Sequence, residues 1–362
     1  MCGAMDDTFG NVASSRSNNF DAIRLLLATL VVGSHSFPLL LGDNARELFV
    51  RITGGQITGG ELAVNGFFAL SGFLIALSWD RTHNLAQFFK KRLLRIYPGF
   101  FVAALFGSCI IAPQIASDAS EYWHQFSSVQ FLFSATNLDP RLPSVFANMP
   151  IPAVNGSLWS IRYEFLCYVG IATLGLVGAF RCRLALLVAF ATSIAIYAGQ
   201  LHHSLQVPGR GFSFVYGDPV LWPRLAAFFL SGVLFYLYRN SIERSRRLFG
   251  VASTGLVFFG AASPLLMLPL VLPMFGTYLL FYVASHPVPR LQRFTGRADI
   301  SYGLYLYAFP VQQLLVHEYG SLLTPLTLFL TAFPLTALLA MGSWFIVEKP
   351  FLSKQTACLR KS

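Results

Sequence analysis

Charged side chains are scarce in this sequence. Lysine, arginine, aspartate and glutamate make up 12% of its 362 residues, about half the fraction that soluble domains carry. The mean hydropathy is +0.58, so the composition excludes an ordinary soluble domain. Of the five cysteines, two lie in apolar runs and three in segments placed inside the cell, so a disulfide framework is not indicated. The sequence contains no P-loop, HExxH, CxxC or GxSxG motif, so the enzyme classes that depend on them are not indicated.

Long apolar runs fill most of the chain instead. A run of about 20 apolar residues can cross a bilayer as a helix, and about ten such runs are present. They lie at residues 20–41, 60–79, 99–117, 157–180, 184–201, 219–238, 249–265, 267–285, 300–317 and 324–346. We therefore expect an all-α fold, a polytopic membrane bundle of about ten transmembrane helices. Residues 1–19 are expected to form a disordered cytoplasmic N-terminus, residues 20–351 the membrane domain and residues 352–362 a cytoplasmic tail.

Basic residues are distributed unevenly between the connecting segments. With the N-terminus inside the cell, twenty of the twenty-six lysines and arginines fall in cytoplasmic segments, as the positive-inside rule predicts. Both termini are then cytoplasmic, and we expect a multi-pass protein of the inner membrane. The formal charge of +10 arises from the same segments, so it does not indicate nucleic acid as a partner. The first apolar run is too long for the core of a cleavable signal peptide.

The first run, FDAIRLLLATLVVGSHSFPLL, contains three ionisable residues. Such residues are costly inside a membrane and usually indicate function. His35 follows Arg24 by eleven positions, close to three helical turns, so both lie on nearly the same helix face, about 16 Å apart. Asp21 precedes Arg24 by three residues, which allows an ion pair. His35 is therefore a candidate functional group well inside the span.

The segment AQFFKKRLLRIYPGF is predicted to be a cytoplasmic connection with four cations within six residues. Arg92 and Arg95 share one helix face, and Tyr97 with Pro98 marks the entry to the third span. Two guanidinium groups placed in this way can hold phosphate groups by bidentate hydrogen bonds. The alternative is that these cations only set the topology and attract anionic lipid.

Two other spans contain polar residues whose role the sequence leaves open. Ser71 and Gly72 in the second span favour either close helix packing or the lining of a ligand channel. Glu164 in NGSLWSIRYEFLCYVG is either an interface charge or a functional group that faces the bundle. The long outer loop at about 118–156 either covers an outward-facing site or is an irregular linker. His202 and His203 are more typical of solvated loop residues than of a metal site, and no metal is expected.

Six stretches stand in order along the chain: FDAIRLLLATLVVGSH, FFALSGFLI, FKKRLLRIYP, NGSLWSIRYEFLCY, SYGLYLYAFPV and VEKPF. Together they resemble the acyltransferase-3 family of integral membrane O-acyltransferases, which includes acetylases of bacterial lipopolysaccharide O-antigen and exopolysaccharide. The resemblance extends from residue 20 to residue 351 and implies ten membrane helices. It also implies transfer of an acyl group, in the first place acetyl, from cytoplasmic acyl-CoA to a hydroxyl of a glycan or lipid-linked saccharide.

The resemblance also implies Arg24, His35 and Glu164 as catalytic candidates, with Arg24 holding the inner end of the donor path or fixing the first helix. Arg24 and His35 match the Arg-x10-His pattern of the family, in which the histidine is implicated in catalysis. Glu164 matches the glutamate of a WSxxxE pattern. The general-base role of His35 in direct transfer is one possibility, and an acyl-histidine intermediate is another.

On the donor side, Arg92 and Arg95 match an RxxR pattern that implies contact with the phosphates of acetyl-CoA, with Tyr97 beside them. Ser71 and Gly72 fall in an FFxxSGFL element that is taken to line the donor channel. Two positions depart from the family pattern: Ala308 stands where many members have a histidine and Asn65 where many have an aspartate. A histidine at position 308 is therefore not essential in this protein.

Two alternative functions fit some of the same residues. Intramembrane charges and helices broken by proline and glycine also suit a transporter or flippase of a lipid-linked sugar. An O-acyltransferase that acts on a small acceptor such as a macrolide keeps the chemistry but changes the substrate. The acyl group, the acceptor hydroxyl and the oligomeric state are not determined by the sequence.

Overall fold

The computed structural model of the chain describes residues 8–10, 19–82, 84–144, 146–203, 213–262, 267–286, 288–289, 292 and 298–353. Over these residues the protein is helical, with one isolated β-bridge between Thr8 and Glu243 and no strand. The predicted all-α class is confirmed. The predicted N-terminal and C-terminal tails fall largely outside the described residues, as do the side chains of His202 and His203.

One helix lies at each of the ten predicted apolar runs. In chain order they are α1 (Phe20–Leu41), α2 (Gly59–Thr82), α3 (Leu85–Leu105), α4 (Trp159–Leu176), α5 (Arg183–His203), α6 (Trp222–Leu237), α7 (Arg246–Ala262), α8 (Thr277–Ala284), α9 (Ser301–Tyr319) and α10 (Pro325–Ser343). Turns of π-helix extend three of them, at Phe106–Ile111 after α3, Met267–Gly276 before α8 and Trp344–Glu348 after α10. Shorter helices lie at Leu48–Ile52, Ala119–Gln125, Ser128–Thr136 and Ser213–Tyr216.

Six helical segments of the described chain are long and apolar enough to cross a membrane. They are Phe20–Leu41, Gly59–Thr82, Leu85–Ile115, Arg183–Leu201, Pro219–Leu237 and Pro325–Ser353. The remaining four predicted spans are also helical, but they are shorter or less apolar. A membrane-spanning helical protein follows from these segments, whereas ten crossings and the cytoplasmic location of both termini stay predictions.

The third helix begins earlier than the sequence suggested. The segment that holds Arg92 and Arg95 was expected to be a connection ahead of a span at 99–117, but α3 already begins at Leu85. Pro98 therefore lies inside the helix and not at its entry. The buried side chains of Phe88, Ile96 and Phe100 explain this, because tertiary packing on both sides of the proline outweighs the lost backbone hydrogen bond.

The chain folds into two compact units. The first comprises Met1–Ile23, Val64–Phe88 and Tyr163–Phe294, and the second comprises Arg24–Ala63, Phe89–Arg162 and Thr295–Ser362. The first unit therefore contains most of α2 and α4 together with α5 to α8. The second contains most of α1 and α3, with α9 and α10.

The first unit is held together by a close contact between α2 and α6. A Cβ atom at Gly72 would collide with the backbone carbonyl of Phe229, and one at Gly232 would collide with that of Ala69. Only glycine at both positions lets the two backbones approach this closely, as small residues commonly do in membrane helices. Beside this contact the rings of Phe73 and Phe281 pack with their centroids 4.7 Å apart.

In the second unit, the predicted outer loop is folded against α9. Part of it is helical, at Ala119–Gln125 and Ser128–Thr136, and Tyr122 is fully buried. The Asn155 amide donates to the carbonyl of Leu306 at 2.8 Å, and the Gln313 amide donates to the carbonyl of Ile151 at 2.8 Å. The loop is therefore partly helical, and its backbone and side chains are hydrogen-bonded to α9.

Candidate active site

A cluster of charged residues lies at the start of α9 in the second unit. Asp299 precedes the helix by two residues, and its Oδ2 forms salt bridges with Nη2 of Arg95 and, at 3.9 Å, with Nη1 of Arg24. Ser301 donates its hydroxyl to the other carboxylate oxygen at 2.6 Å. One carboxylate thus joins α1, α3 and α9, and the Asp299 side chain is only 15% exposed.

The electrostatics of Asp299 follow from these partners. Burial by itself raises the pKa of the Asp299 carboxyl, but the charges of Arg95 and Arg24 outweigh burial and lower this pKa to about 2. Asp299 is therefore ionised at neutral pH. For Arg24 the sequence suggested Asp21 as partner, and the structure adds a carboxylate that lies far along the chain.

Arg95 is fixed in one orientation by more than its ion pair. Its guanidinium lies 5.8 Å from the ring centroid of Tyr302 and 5.9 Å from that of Trp344, within the range of a cation–π contact. The charge of Glu348 also acts on Arg95; Glu348 is 2% exposed, and its Oε1 accepts a hydrogen bond from Ser343 at 3.0 Å. Within the described chain, the hydrogen bond of Arg95 to Asp299 uses Nη2. The Nε and Nη1 donors of Arg95 could therefore bind another acceptor.

The other two residues of the predicted phosphate site lie on the same helix. Arg92 is half-buried one turn before Arg95, so the two residues lie on one face of α3. Tyr97 instead uses its hydroxyl to donate to the backbone carbonyl of Thr136 at 2.8 Å. In the structure, Tyr97 ties α3 to the short helix Ser128–Thr136.

His35 lies on α1 and is half-buried. Its ring meets the ring of Phe309 on α9 edge to face, with centroids 5.3 Å apart. Its Nδ1 atom is buried, and no described residue hydrogen-bonds to it. A buried imidazole nitrogen without a partner is uncommon and is the pattern expected of a group that serves chemistry.

The contacts along α1 and α9 show that these two helices run parallel. Arg24 of α1 pairs with Asp299 at the start of α9. Ser36, twelve residues later, accepts a hydrogen bond at 2.7 Å from Gln312, which is thirteen residues after Asp299. These separations correspond to about 18 Å and about 20 Å along the two helices. The charged cluster and His35 are thus held at a fixed distance within one unit.

In the first unit, the structure brings together two of the predicted site residues. Ser71 of α2 donates its hydroxyl to Oε1 of Glu164 on α4 at 2.8 Å. Tyr168, one turn after Glu164, donates to the same oxygen, a partner that sequence reasoning missed. Gly72 lies at the backbone contact with α6 described above. Glu164 belongs to the first unit and His35 to the second.

Sequence reasoning also missed the roles of Asp299, Glu348 and Gln312. Asp299 and Glu348 were visible only as charges next to predicted spans, and no spacing rule links them to Arg24 or Arg95. Among the described residues, no group of three or more histidine, cysteine, aspartate or glutamate side chains is close enough to hold a metal ion.

Several helices are long and apolar enough to cross a membrane. The protein also holds a half-buried histidine and a cluster of ion-paired residues. These features define a membrane protein with polar groups in its interior. Comparison with known proteins identifies the family. The model of the acyltransferase-3 family, described as an acyltransferase domain, matches residues 17–347. The chain therefore belongs to the acyltransferase-3 family.

Two relatives span nearly the whole chain. An O-acetyl transferase of Shigella phage Sf6 is 28% identical over 351 residues, which cover 94% of this chain and 98% of the relative. Nodulation protein 10 of Rhizobium leguminosarum bv. viciae is 25% identical over 377 residues, which cover 96% and 97%. No solved structure matches the chain. These similarities support a membrane O-acetyltransferase.

Proposed function

We propose that this protein transfers an acetyl group from cytoplasmic acetyl-CoA to a hydroxyl of a cell-surface glycan or lipid-linked saccharide. The printed name of the phage relative, O-acetyl transferase, supports the acetyl group and an oxygen acceptor. In this proposal the chain crosses the inner membrane ten times and both termini are cytoplasmic. The basic residues that flank the helices support that orientation.

The observation that carries the proposal is the arrangement of α1. One end of this helix holds Arg24 in the cluster with Asp299 and Arg95, and His35 lies about 16 Å further along the same face. Acyl-CoA has phosphate groups at one end and a thioester at the other. The distance between the charged cluster and His35 suits such a donor. A purely structural histidine would be expected to have a hydrogen-bond partner for its Nδ1.

The guanidinium groups of Arg92 and Arg95 bind the phosphates of the donor. Asp299 occupies only Nη2 of Arg95 among its nitrogens, and the Nε and Nη1 donors are left for phosphate oxygens. The cation–π contacts with Tyr302 and Trp344 reduce the conformational freedom that Arg95 loses when the donor binds. Tyr97 supports this site by anchoring α3.

His35 acts as general base in the transfer step. Its neutral imidazole accepts the proton of the acceptor hydroxyl while the hydroxyl oxygen attacks the thioester carbonyl. The new C–O bond forms as the C–S bond breaks, and the CoA thiolate then takes the proton from the imidazolium. Arg24 fixes the inner end of α1 through Asp299 and does not touch the reacting atoms.

In this proposal Glu164 binds the acceptor, and Ser71 and Gly72 belong to the donor path, as the family resemblance implies. Ser71 and Tyr168 both donate to Oε1 of Glu164, and this holds the carboxylate in a fixed orientation. Oε2 then accepts a hydrogen bond from a hydroxyl of the acceptor. Gly72 keeps α2 against α6, so that Ser71 faces the donor path.

The test uses purified protein in lipid nanodiscs, with acetyl-CoA and the de-O-acetylated surface polysaccharide of the source cell as substrates. We expect release of free CoA thiol that depends on the polysaccharide. The His35→Ala variant should lose about 100- to 10,000-fold in kcat with unchanged abundance and membrane insertion. Wild-type rates in that variant would refute His35 as the base. Polysaccharide movement without thiol release would instead favour a transporter.

A further inference from the structure

Two buried polar atoms lie close to the contact between α1 and α9 and have no hydrogen-bond partner among the described residues. One is Nδ1 of His35 and the other is Oε1 of Gln312. Gln312 is completely buried. Leaving a buried amide oxygen without a donor costs about 1–3 kcal/mol, so a donor or an ordered water molecule is expected to satisfy it.

The orientation of the Gln312 amide is fixed by its other contacts. Its Nε2 donates to the backbone carbonyl of Val32 at 2.9 Å and to the hydroxyl oxygen of Ser36 at 2.7 Å. Ser36 cannot donate back to the amide, because its own hydroxyl donates to the carbonyl of Val32 at 3.1 Å. Turning the amide over would place its oxygen against the Val32 carbonyl. Oε1 is therefore an acceptor held in one direction.

The same helix faces bring His35 beside Gln312. On α1, His35 follows Val32 by three residues and directly precedes Ser36, both of which bind Gln312. On α9, Gln312 follows Phe309 by one turn, and Phe309 contacts the ring of His35. The two partnerless atoms are thus a fixed acceptor and an imidazole nitrogen that can carry a proton.

We propose that Gln312 is a positioning residue for His35, in that its Oε1 accepts the Nδ1–H of the imidazole through one water molecule. This proposal rests on the function proposed above. The hydrogen bond holds the proton on Nδ1 and leaves the lone pair of Nε2 for the acceptor hydroxyl, since the partner of one ring nitrogen sets the state of the other. One link then satisfies both buried atoms.

The chain offers a matched control at the next position. Gln313 is also completely buried and its Oε1 also has no partner among the described residues. Its amide, however, donates to the carbonyls of Ile151 and Ala153, on the loop side of α9. If buried glutamines serve only packing, Gln312→Met and Gln313→Met should have the same consequences.

The first readout is the tautomer of His35. Protein labelled with 15N-histidine in lipid bilayers gives nitrogen resonances that distinguish a protonated ring nitrogen from a bare one, and the His35→Ala variant identifies the signals of His35. We expect Nδ1–H in the wild type and in Gln313→Met. In Gln312→Met we expect a mixture of tautomers.

The second readout is the kinetics. Gln312→Met should lower kcat about 10- to 100-fold, less than the roughly 10,000-fold lost when an ionised partner of a catalytic histidine is removed, and should leave the KM for acetyl-CoA unchanged. If Gln312→Met does not fold, Ser36→Ala releases one anchor of the amide and should move both readouts in the same direction. Gln313→Met should keep wild-type kcat.

The outcomes separate this inference from the proposed function. If His35→Ala is inactive but Gln312→Met has the wild-type tautomer and kcat, Gln312 has no positioning role and the proposed function stands. If His35→Ala remains active, the proposed base is wrong, and the resonances still report whether Gln312 bonds to the ring. Equal losses in Gln312→Met and Gln313→Met, with the tautomer unchanged in both, would also overturn the inference.

Discussion

Replacing Asp299 by asparagine removes one negative charge from between two guanidinium groups and changes almost nothing in shape. Asparagine still offers an oxygen to the Ser301 hydroxyl, which lies 2.6 Å from Oδ1 of Asp299. The difference between Asp299 and its asparagine variant therefore reports the electrostatic contribution of the cluster. Because Asp299 joins three helices of the second unit, we expect this contribution to appear in the free energy of unfolding.

Two estimates give the size of the effect. The pKa of Asp299 falls from 3.8 to about 2, and a shift of this size corresponds to about 2 kcal/mol of stability at neutral pH. Coulomb's law for Arg24 and Asp299 at 3.9 Å gives about 4 kcal/mol at an effective dielectric constant of about 20, before any desolvation cost. We expect Asp299→Asn to lower the free energy of unfolding by about 2–4 kcal/mol at pH 7.

The stability difference between the wild type and Asp299→Asn should depend on pH. A carboxyl whose pKa is lower in the folded state stabilises the protein above its unfolded pKa, and the stabilisation is lost as the pH falls to the folded value. The wild type should therefore lose its advantage over Asp299→Asn between about pH 4 and about pH 2, where Asp299 becomes protonated. Above pH 5 the difference should be constant.

Equilibrium unfolding of purified protein in detergent micelles, followed by tryptophan fluorescence at a series of pH values, measures this difference. Asp43→Asn is the control, because Asp43 is exposed and its carboxylate accepts from the backbone N–H of Ala45. It should change stability by less than about 0.5 kcal/mol. The reasoning is refuted if Asp299→Asn is as stable as the wild type at pH 7, or if its deficit persists unchanged at pH 2.

Two further substitutions test the donor site and the packing of the first unit. Replacing both Arg92 and Arg95 by lysine keeps the charge but removes the bidentate hydrogen bonds. The KM for acetyl-CoA, measured by steady-state kinetics, should therefore rise about tenfold or more, with a smaller change in kcat. An unchanged KM would leave only a topological role for these residues. Gly72→Val should lower the free energy of unfolding by about 3 kcal/mol or more, because its side chain meets the carbonyl of Phe229. Gly342→Ala is the control, since nothing lies within 4 Å of a Cβ there, and equal stability of the two glycine variants would contradict the packing argument.

The positions of the helices could be predicted from the sequence because a membrane imposes a strong local rule. Backbone groups must be satisfied within the segment, so each long apolar run becomes a helix whatever it packs against. The ends are less certain, as α3 shows, because Arg92 and Arg95 are polar but their neighbours Phe88 and Ile96 are buried. Apolar content alone placed the start of that helix too late.

The candidate site could be predicted only in part. Arg24, His35, Arg92 and Arg95 were recognisable because each pair lies on one helix face at a short spacing. Their partners were not, because Asp299 is more than 200 residues from Arg95 and no periodicity connects residues so far apart. The link between Ser71 and Glu164 spans 93 residues and was hidden for the same reason.

The partners of α1 that the sequence could not reveal lie on α9 or just before it. At one end of α1, Asp299 balances the charge of Arg24; further along, Phe309 contacts His35 and Gln312 binds Val32 and Ser36. Two parallel helices joined at both levels cannot slide past each other without breaking an ion pair and two buried hydrogen bonds. The distance from the charged cluster to the imidazole is therefore set by a rigid pair of helices. Catalysis across a fixed separation requires such rigidity, since a displacement of about 1 Å can cost about 100-fold in rate.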